Sequence, residues 1–580
     1  MQRRLFALGM SLALITLLIG LNGFFPGKAS ANDLTATERA NARPQAQLQI
    51  TVAPWGPTQE TIDAVKSSVA ARPALQKFLR GTRNRLLHFG LIESDSKNLS
   101  KNPPNRFLAT FYDYTNNRTV TAEGSVDKPD LLKIAASSDQ PIASEEEFAE
   151  AVKLLERDQI ISLGIRANQL SPYAPMPPVK YPSRPGDRVE RTVYVGLEPR
   201  GAKGFTNEVV GVNLIRGTVI HYAGGAPETS RATPDGVCGI PSAGQSTTSN
   251  GTAGQFQFTI SDGPTVLWQF LAVRPSASSG NSSERSGIEL RDVKYRGKSV
   301  LKRINAPILN VDYDHNVCGP FRDWQYSEGM FQATGTDVAP GFRDCTTNVA
   351  TTALESGNDT GNFRGVAFYQ QYGEVVLVSE MNAGWYRYIC EYRFAPDGTI
   401  RPRYGYGATA NSCVCEIHTH HVYWRFDFDI GSVENEISPV SLRGVALGKP
   451  YATETALYRA GSPRNWLITS PTGDSYLLVP NENDGSAAAG SYGRGDVWIL
   501  KYKESGGVPT ELDDPNTNTQ ANIDAWANGE SLVKQDIVVW YGAHYVHDDG
   551  GNHPERSKPQ DFNILSGDHV QGPDLYPYRW

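Results

Sequence analysis

Two histidines in the C-terminal half of the chain have the spacing of metal ligands. They are His418 and His420, in the segment HTHHVYWRFDFDI, whose alternating pattern predicts a β-strand. Because residues two apart in a strand share one face, both imidazoles would project together, whereas His421 would point away. Two imidazoles on one rigid face are typical of copper and zinc sites. The alternative is that they are ordinary polar residues near a strand end.

A third ligand must come from another part of the chain, and the segment DIVVWYGAHYVHDDGGNH supplies candidates. It begins at Asp536 with a strand-like apolar run and carries His544, His547 and His553. The segment by itself does not choose among the three histidines. Its acidic residues would also suit a site with oxygen ligands nearby. The two segments therefore predict a metal site built from two strands that are distant in sequence.

Two cysteines just before the histidine pair offer a different metal site. Cys413 and Cys415, together with His418, could bind zinc or Cu(I) through thiolates. This alternative is the weakest, since an oxidising compartment consumes exposed thiols. The six cysteines of the chain are too few for a disulfide scaffold in 580 residues, although one or two bridges would fit.

The N-terminus indicates export to such a compartment. Arg3 and Arg4 precede the apolar run LFALGMSLALITLLIG, and small residues follow, so residues 1–31 have the pattern of a signal peptide. We expect a periplasmic or extracellular protein with no membrane span after cleavage; an uncleaved anchor is the alternative. The net charge of −7 and the lack of a dense basic stripe argue against nucleic acid as a partner.

Composition divides the rest of the chain into three parts. Residues 48–165 carry two amphipathic helical patterns, one of them opened by a capping box of Ser144 and Glu147, around a predicted hairpin; this indicates a small α+β domain. Prolines mark residues 166–230 as a linker that could include a second small domain. In residues 231–580, short strand-like runs alternate with Gly- and Ser-rich loops, which predicts a large antiparallel β-sandwich. The expected fold class is α+β.

The strand that begins at His418 resembles the copper-binding strand of the copper amine oxidases. In that family an H-x-H is followed five residues after its second histidine by arginine, and soon afterwards by an acidic pair. His420, Arg425, Asp427 and Asp429 fit this layout. The resemblance covers residues from about 300 to the end, and the first small domain is compatible with one of the family's cystatin-like domains.

The C-terminal segment resembles the one that supplies the family's third copper histidine. The family's spacing from the D-[IL]-V-x-W-Y run selects His547 over His544. The resemblance thus implies a single copper ion held by three histidines, namely His418, His420 and His547. It also implies a homodimer.

A third segment, EMNAGWYRYICEYRFAPDGTI, resembles the family's topaquinone strand, which reads T-x-G-N-Y-[DE]-Y before an aromatic-rich strand and a turn. Gly384, Tyr388 and Gly398 fall in register, and this places Tyr386 at the position of the cofactor precursor. The resemblance implies that Tyr386 is processed to topaquinone with copper and oxygen. The implied activity is the oxidative deamination of primary amines to aldehyde, ammonia and hydrogen peroxide.

The resemblance also implies a peripheral calcium or manganese ion near the copper. Its side-chain ligands would be Asp427, Asp429 and Asp536, and the backbone carbonyls of Phe428 and Ile537 would complete the site. Hard oxygen ligands of this kind suit calcium or manganese better than copper. The alternative is that these aspartates are only solvated charges at strand ends.

The chain departs from the family's pattern at the quinone and at the base. Trp385 replaces the asparagine before the modified tyrosine, and Arg387 replaces the acidic residue after it. In RDWQYSEGMF, the counterpart of the segment with the catalytic base, Tyr326 stands at the aspartate position, with Asp323 and Glu328 as neighbouring carboxylates. These departures favour a second hypothesis, a catalytically silent exported protein that kept the copper site and lost the quinone.

Overall fold

A computed structural model of the protein consists mainly of β-strands with a few short helices. It describes residues 47–92, 103–174, 189–199, 208–221, 238–245, 247–248, 251–278, 286–313, 321–322, 325–459, 464–487, 491–493, 495–505, 508–509, 523–547 and 570–580. The signal peptide predicted for residues 1–31 lies outside these ranges. Within them, no helix is long and apolar enough to cross a membrane.

After strand β1 (Gln49–Pro54), which belongs to a large sheet, two helices pack on a four-stranded antiparallel sheet. These elements are α1 (Gln59–Val69), α2 (Pro73–Leu79), β2 (Asn84–Ile92), β3 (Arg106–Asp113), β4 (Arg118–Ser125) and β5 (Lys133–Ser137). The predicted hairpin is confirmed, because β3 pairs with β4, and Asn117 at the turn takes the left-handed conformation with φ 49°.

A second small module follows, with two further helices and another four-stranded sheet. It comprises α3 (Glu145–Leu154), α4 (Gln159–Arg166), β6 (Leu170–Tyr173), β7 (Thr192–Pro199), β8 (Glu208–Asn213) and β9 (Thr218–Ile220). The capping box of Ser144 and Glu147 at the start of α3 is confirmed. Leu155 joins an apolar cluster with Tyr112 of β3 and Val195 of β7, so the two small modules pack on each other.

Two large sheets account for most of the remaining structure. The first large sheet contains β1, β10 (Gln255–Asp262), β11 (Thr265–Val273), β12 (Glu289–Tyr295), β13 (Lys298–Tyr313), β14 (Phe321–Arg322), β21 (His418–Phe428), β23 (Thr455–Leu457), β26 (Val497–Lys501) and β29 (Ile537–His547). The second contains β15 (Thr336–Ala339), β16 (Phe342–Asp344), β17 (Val366–Gln371), β18 (Glu374–Ala383), β19 (Tyr386–Phe394), β20 (Ile400–Ala408), β22 (Glu436–Val440), β24 (Asn465–Thr469), β25 (Ser475–Val479), β30 (Val570–Gln571) and β31 (Asp574–Arg579). A short helix, α5 (Ala353–Ser356), and a two-stranded ribbon of β27 (Glu504–Ser505) and β28 (Val508–Pro509) complete the described α-helices and β-strands.

Aromatic side chains from both large sheets fill the space between them. Trp424 of β21 contacts Tyr392 of β19 and Tyr404 of β20, with ring centroids 5.8 and 6.1 Å apart. All three are fully buried and belong to one apolar cluster that draws on both sheets. The two sheets therefore form a sandwich with a shared core. The expected class, α+β with a large and mainly antiparallel β-sandwich, is confirmed.

Four strands position the candidate site. In the first large sheet, β21 pairs with β29 so that His418 lies opposite His547 and His421 lies opposite His544. In the second, β18 and β19 form a hairpin whose tight turn includes Gly384, with φ 59°, a conformation that glycine adopts without strain. The turn brings Tyr386 to the first position of β19.

Candidate metal centre and its tyrosine

Three histidines from β21 and β29 converge in the interior of the sandwich. Each of His418, His420 and His547 offers one ring nitrogen, and these nitrogens all lie within 4.8 Å of one another. Their exposed fractions are 1%, 0% and 2%. A buried set of three imidazoles is a donor set that suits Cu(II), and the residues present therefore fit the metal that the resemblance implies.

Backbone contacts fix the orientation of the first histidine. His418 Nδ1 donates to the carbonyl oxygen of Glu416 at 2.6 Å. In a neutral imidazole this places the lone pair on Nε2, the atom that contacts the Tyr386 hydroxyl. Such a hydrogen bond from the outer nitrogen is the usual way in which proteins hold a metal-binding tautomer.

Tyr386 lies directly against this histidine cluster. Its hydroxyl is hydrogen-bonded to His418 Nε2 and lies 3.1 Å from His547 Nδ1. Its ring meets that of His420 edge-on, with centroids 4.5 Å apart, and is fully buried. The tyrosine selected by the sequence resemblance is thus in contact with all three candidate ligands.

Further tyrosines surround the cluster. Tyr388 stacks on Tyr386 at 5.2 Å with an interplanar angle of 8°, and its hydroxyl lies 3.5 Å from His420 Nδ1. Tyr406 of β20 stacks on His420 at 4.6 Å and on Tyr545 of β29 at 5.4 Å. Burial raises the pKa of Tyr406 well above its ordinary value, so this phenol stays neutral. Sequence reasoning missed Tyr406 and Tyr545; the period-two pattern YGYG before the histidine strand is the signal that could have indicated the former.

The other two histidines of these strands lie together outside the triad. His421 Nδ1 and His544 Nδ1 are 2.8 Å apart, and His544 Nε2 lies 3.4 Å from a carboxylate oxygen of Asp496. Burial lowers the pKa of His544, against the opposing effect of Asp496. Neither histidine of this pair belongs to the cluster of His418, His420 and His547. His553, the remaining candidate of its segment, lies outside the described residues.

A second cluster contains only carboxylates. Asp427 and Asp429 at the end of β21 and Asp536 just before β29 each offer an oxygen, and these oxygens lie within 4.8 Å of one another. Arg425 partly balances the charge, with its Nη1 at 3.6 Å from Asp427. Phe428 lies between the first two aspartates in sequence, and Ile537 follows the third. The three side chains predicted to bind a hard cation are therefore brought together.

In the segment predicted to hold the catalytic base, the carboxylate of Glu328 is already hydrogen-bonded by other residues. Glu328 is buried, and one of its carboxylate oxygens accepts hydrogen bonds from Arg274 Nε at 2.9 Å and from Ser276 N and Oγ at 3.0 and 2.8 Å. A carboxylate engaged in this way is a structural group, which argues against Glu328 as the base. Tyr326 is buried, and Asp323 lies outside the described residues.

The thiolate alternative is wrong. Cys415 forms a disulfide with Cys238, 177 residues earlier in the chain, and Cys413 is disulfide-bonded as well. Neither sulfur can therefore act as a thiolate ligand beside His418. The short 3-10 segment Ser412–Cys415 is instead a covalent anchor just before the histidine strand.

Comparisons with known proteins agree with this architecture. The chain is 22% identical to the lung isozyme of primary amine oxidase from Bos taurus, in a match that covers 28% of each chain. It matches the structure of a copper-containing benzylamine oxidase from Hansenula polymorpha over 93% of this chain and 94% of that one, with 12% identity and a TM-score of 0.51.

Two further structures give similar values. For the lysyl oxidase of Pichia pastoris the identity is 12%, the coverage 93% and 90%, and the TM-score 0.55. For an amine oxidase from Aspergillus nidulans the identity is 13%, the coverage 92% and 89%, and the TM-score 0.52. No protein-family model matches the chain. The chain therefore has the fold of these amine oxidases, and its resemblance to the copper amine oxidases is confirmed.

Proposed function

We propose that the protein is an exported copper amine oxidase that uses a topaquinone made from Tyr386. It would convert primary amines to aldehydes, with release of ammonia and hydrogen peroxide. The observation that carries this proposal is the contact of the Tyr386 hydroxyl with His418 and His547. A phenol oxygen that contacts two of the candidate ligands would be open to activation by a metal bound to those ligands.

The chain's own residues would divide the work as follows. His418, His420 and His547 would hold copper, which would supply the chemistry that oxidises the Tyr386 ring with oxygen. The Glu416 carbonyl keeps His418 in the metal-binding tautomer. Tyr388 stacks on the Tyr386 ring and restrains it, and burial of the whole cluster excludes water.

Three further assignments belong to the same proposal. Asp427, Asp429 and Asp536, with the carbonyls of Phe428 and Ile537, would hold calcium or manganese. Of the base candidates, Asp323 is the remaining carboxylate once the contacts of Glu328 are considered. The protein would act as a homodimer in the periplasm or outside the cell.

A second candidate function is a silent copper-binding protein. It is favoured by Trp385, a large and buried residue beside Tyr386 whose ring contacts Tyr173 of β6 at 5.3 Å. This bulk occupies the position where the family has an amide.

Redox-cycling quinone staining separates the two candidates. Copper-loaded protein that stains, and Tyr386→Phe protein that binds copper but does not stain, would support the oxidase. Supply of primary amines to the staining protein should then produce peroxide. Wild-type protein that binds one copper and does not stain would replace the oxidase with the silent copper-binding candidate.

A further inference from the structure

Arg387 follows Tyr386 in β19, and its side chain is turned to the opposite face of the sheet, because successive residues of a strand alternate. Its guanidinium donates through Nε and Nη2 to the two carboxylate oxygens of Asp359, at 2.5 and 3.1 Å. Its Nη1 donates to the backbone carbonyls of Gly384 and Tyr386, at 3.3 and 3.0 Å. One side chain therefore connects the turn before Tyr386, the backbone of Tyr386 and a distant carboxylate.

The carboxylate at the other end is itself firmly held. Asp359 accepts hydrogen bonds from the Ala243 backbone N–H at 2.7 Å and from Gln245 Nε2 at 2.9 Å. Asp359 and Arg387 are both nearly inaccessible to solvent. A bidentate guanidinium–carboxylate pair in such surroundings has a fixed geometry, unlike an ion pair between two mobile surface side chains.

We propose that Arg387 is a positioning residue that sets where the Tyr386 ring lies relative to the three histidines. Anchoring the carbonyls on both sides of Trp385 fixes the path of the turn, and the ring position of Tyr386 depends on that path. Arg387 cannot act on the ring itself, since it lies on the other face of the sheet. The inference rests on the proposed function for its chemical consequence, which is efficient conversion of Tyr386 to the quinone.

The second large sheet contains a matched control for this arginine. Arg403 of β20 is equally buried, donates to the carbonyls of Pro402 and Gly572 at 2.9 and 3.0 Å, and pairs with Asp574 at 2.5 Å. None of these partners belongs to the histidine cluster. Arg387→Gln and Arg403→Gln therefore remove the same kind of contact from the same sheet, and a general loss of stability should affect both.

The first test measures the rate at which the quinone absorbance grows when copper and air are added to metal-free protein. Because a misplacement of about 1 Å can cost about 100-fold in rate, we expect Arg387→Gln to slow this growth by at least about tenfold. Arg403→Gln should form the quinone at the wild-type rate, even if its melting temperature falls as far as that of Arg387→Gln. Arg387→Lys should recover part of the rate, since one ammonium can satisfy Asp359 but not both carbonyls as well. Quinone growth at the wild-type rate in Arg387→Gln would overturn the proposal.

A second test does not depend on the quinone. Crystal structures of the metal-free wild type, Arg387→Gln and Asp359→Asn give the distance from the Tyr386 hydroxyl to His547 Nδ1, which is 3.1 Å here. We expect this contact to be lost in both variants and kept in Arg403→Gln. Asp359→Asn keeps the size and shape of the side chain that pairs with Arg387. It therefore tests the positioning role even if Arg387→Gln does not fold. A wild type without quinone would refute the oxidase and leave this test valid, while an unmoved ring in Asp359→Asn would refute the positioning role.

Discussion

Truncation of two histidines that are three residues apart should have opposite consequences. His547→Ala removes one of the three nitrogens of the candidate copper site and should abolish tight copper binding. His544→Ala leaves that triad complete. It removes a buried imidazole that lies 2.8 Å from His421 and 3.4 Å from Asp496, so its effect should be on stability.

The size of the stability effect follows from these contacts. Removal of one partner of a buried hydrogen bond leaves the other partner unsatisfied, which costs about 1–3 kcal/mol. We therefore expect His544→Ala to lower the free energy of unfolding by about 1–3 kcal/mol. His421→Ala removes the other half of the same hydrogen bond and should behave alike.

Two measurements on each variant check this reasoning. Copper content after loading and dialysis should be one per chain in the wild type, His421→Ala and His544→Ala, and close to zero in His547→Ala. The urea midpoint of unfolding should fall in His421→Ala and in His544→Ala. Full copper occupancy in His547→Ala, combined with loss in His544→Ala, would show that the assignment of the third ligand is wrong.

Two further predictions concern carboxylates away from the histidines. Calcium should stabilise the wild type by about 2.7 kcal/mol at a 100-fold excess over its Kd. Asp536→Asn should lose this stabilisation, whereas Asp337→Asn, at an exposed position outside the cluster, should keep it. A wild-type melting temperature that does not change with calcium would count against the site. Burial raises the pKa of Glu380 from 4.5 to about 8. Between these two pH values the Glu380 carboxyl keeps its proton in the folded protein and loses it in the unfolded chain. The stability that this group contributes is therefore full below about pH 4.5 and is lost as the pH rises to about 8. Glu380→Gln should flatten that decline in the urea midpoint, and identical pH profiles of the variant and the wild type would refute this role.

Local sequence patterns are sufficient to predict several parts of this structure. Strand alternation alone placed His418 and His420 on one face, and the side chain of His421 does contact His544 rather than the triad. The capping box at Ser144 was readable because all its atoms lie within one helical turn.

Contacts between distant segments could not be read in this way. The choice of His547 needed a family resemblance, since nothing local to its segment distinguishes it from His544. The disulfide joins Cys415 to a residue 177 positions away, and the pairing of cysteines is not encoded by their spacing. The interaction of Arg387 with Asp359 is likewise set by the path of the chain, which brings together residues with no common motif.

The most direct test of the proposed oxidase begins with protein expressed without copper. Addition of Cu(II) and air should produce a visible quinone band, and isolation of the labelled peptide after phenylhydrazine treatment should place the modification on Tyr386. Tyr386→Phe should bind the same amount of copper and stay colourless. A wild type that binds one copper per chain and remains colourless, with Tyr386 recovered as unmodified tyrosine, would contradict the account.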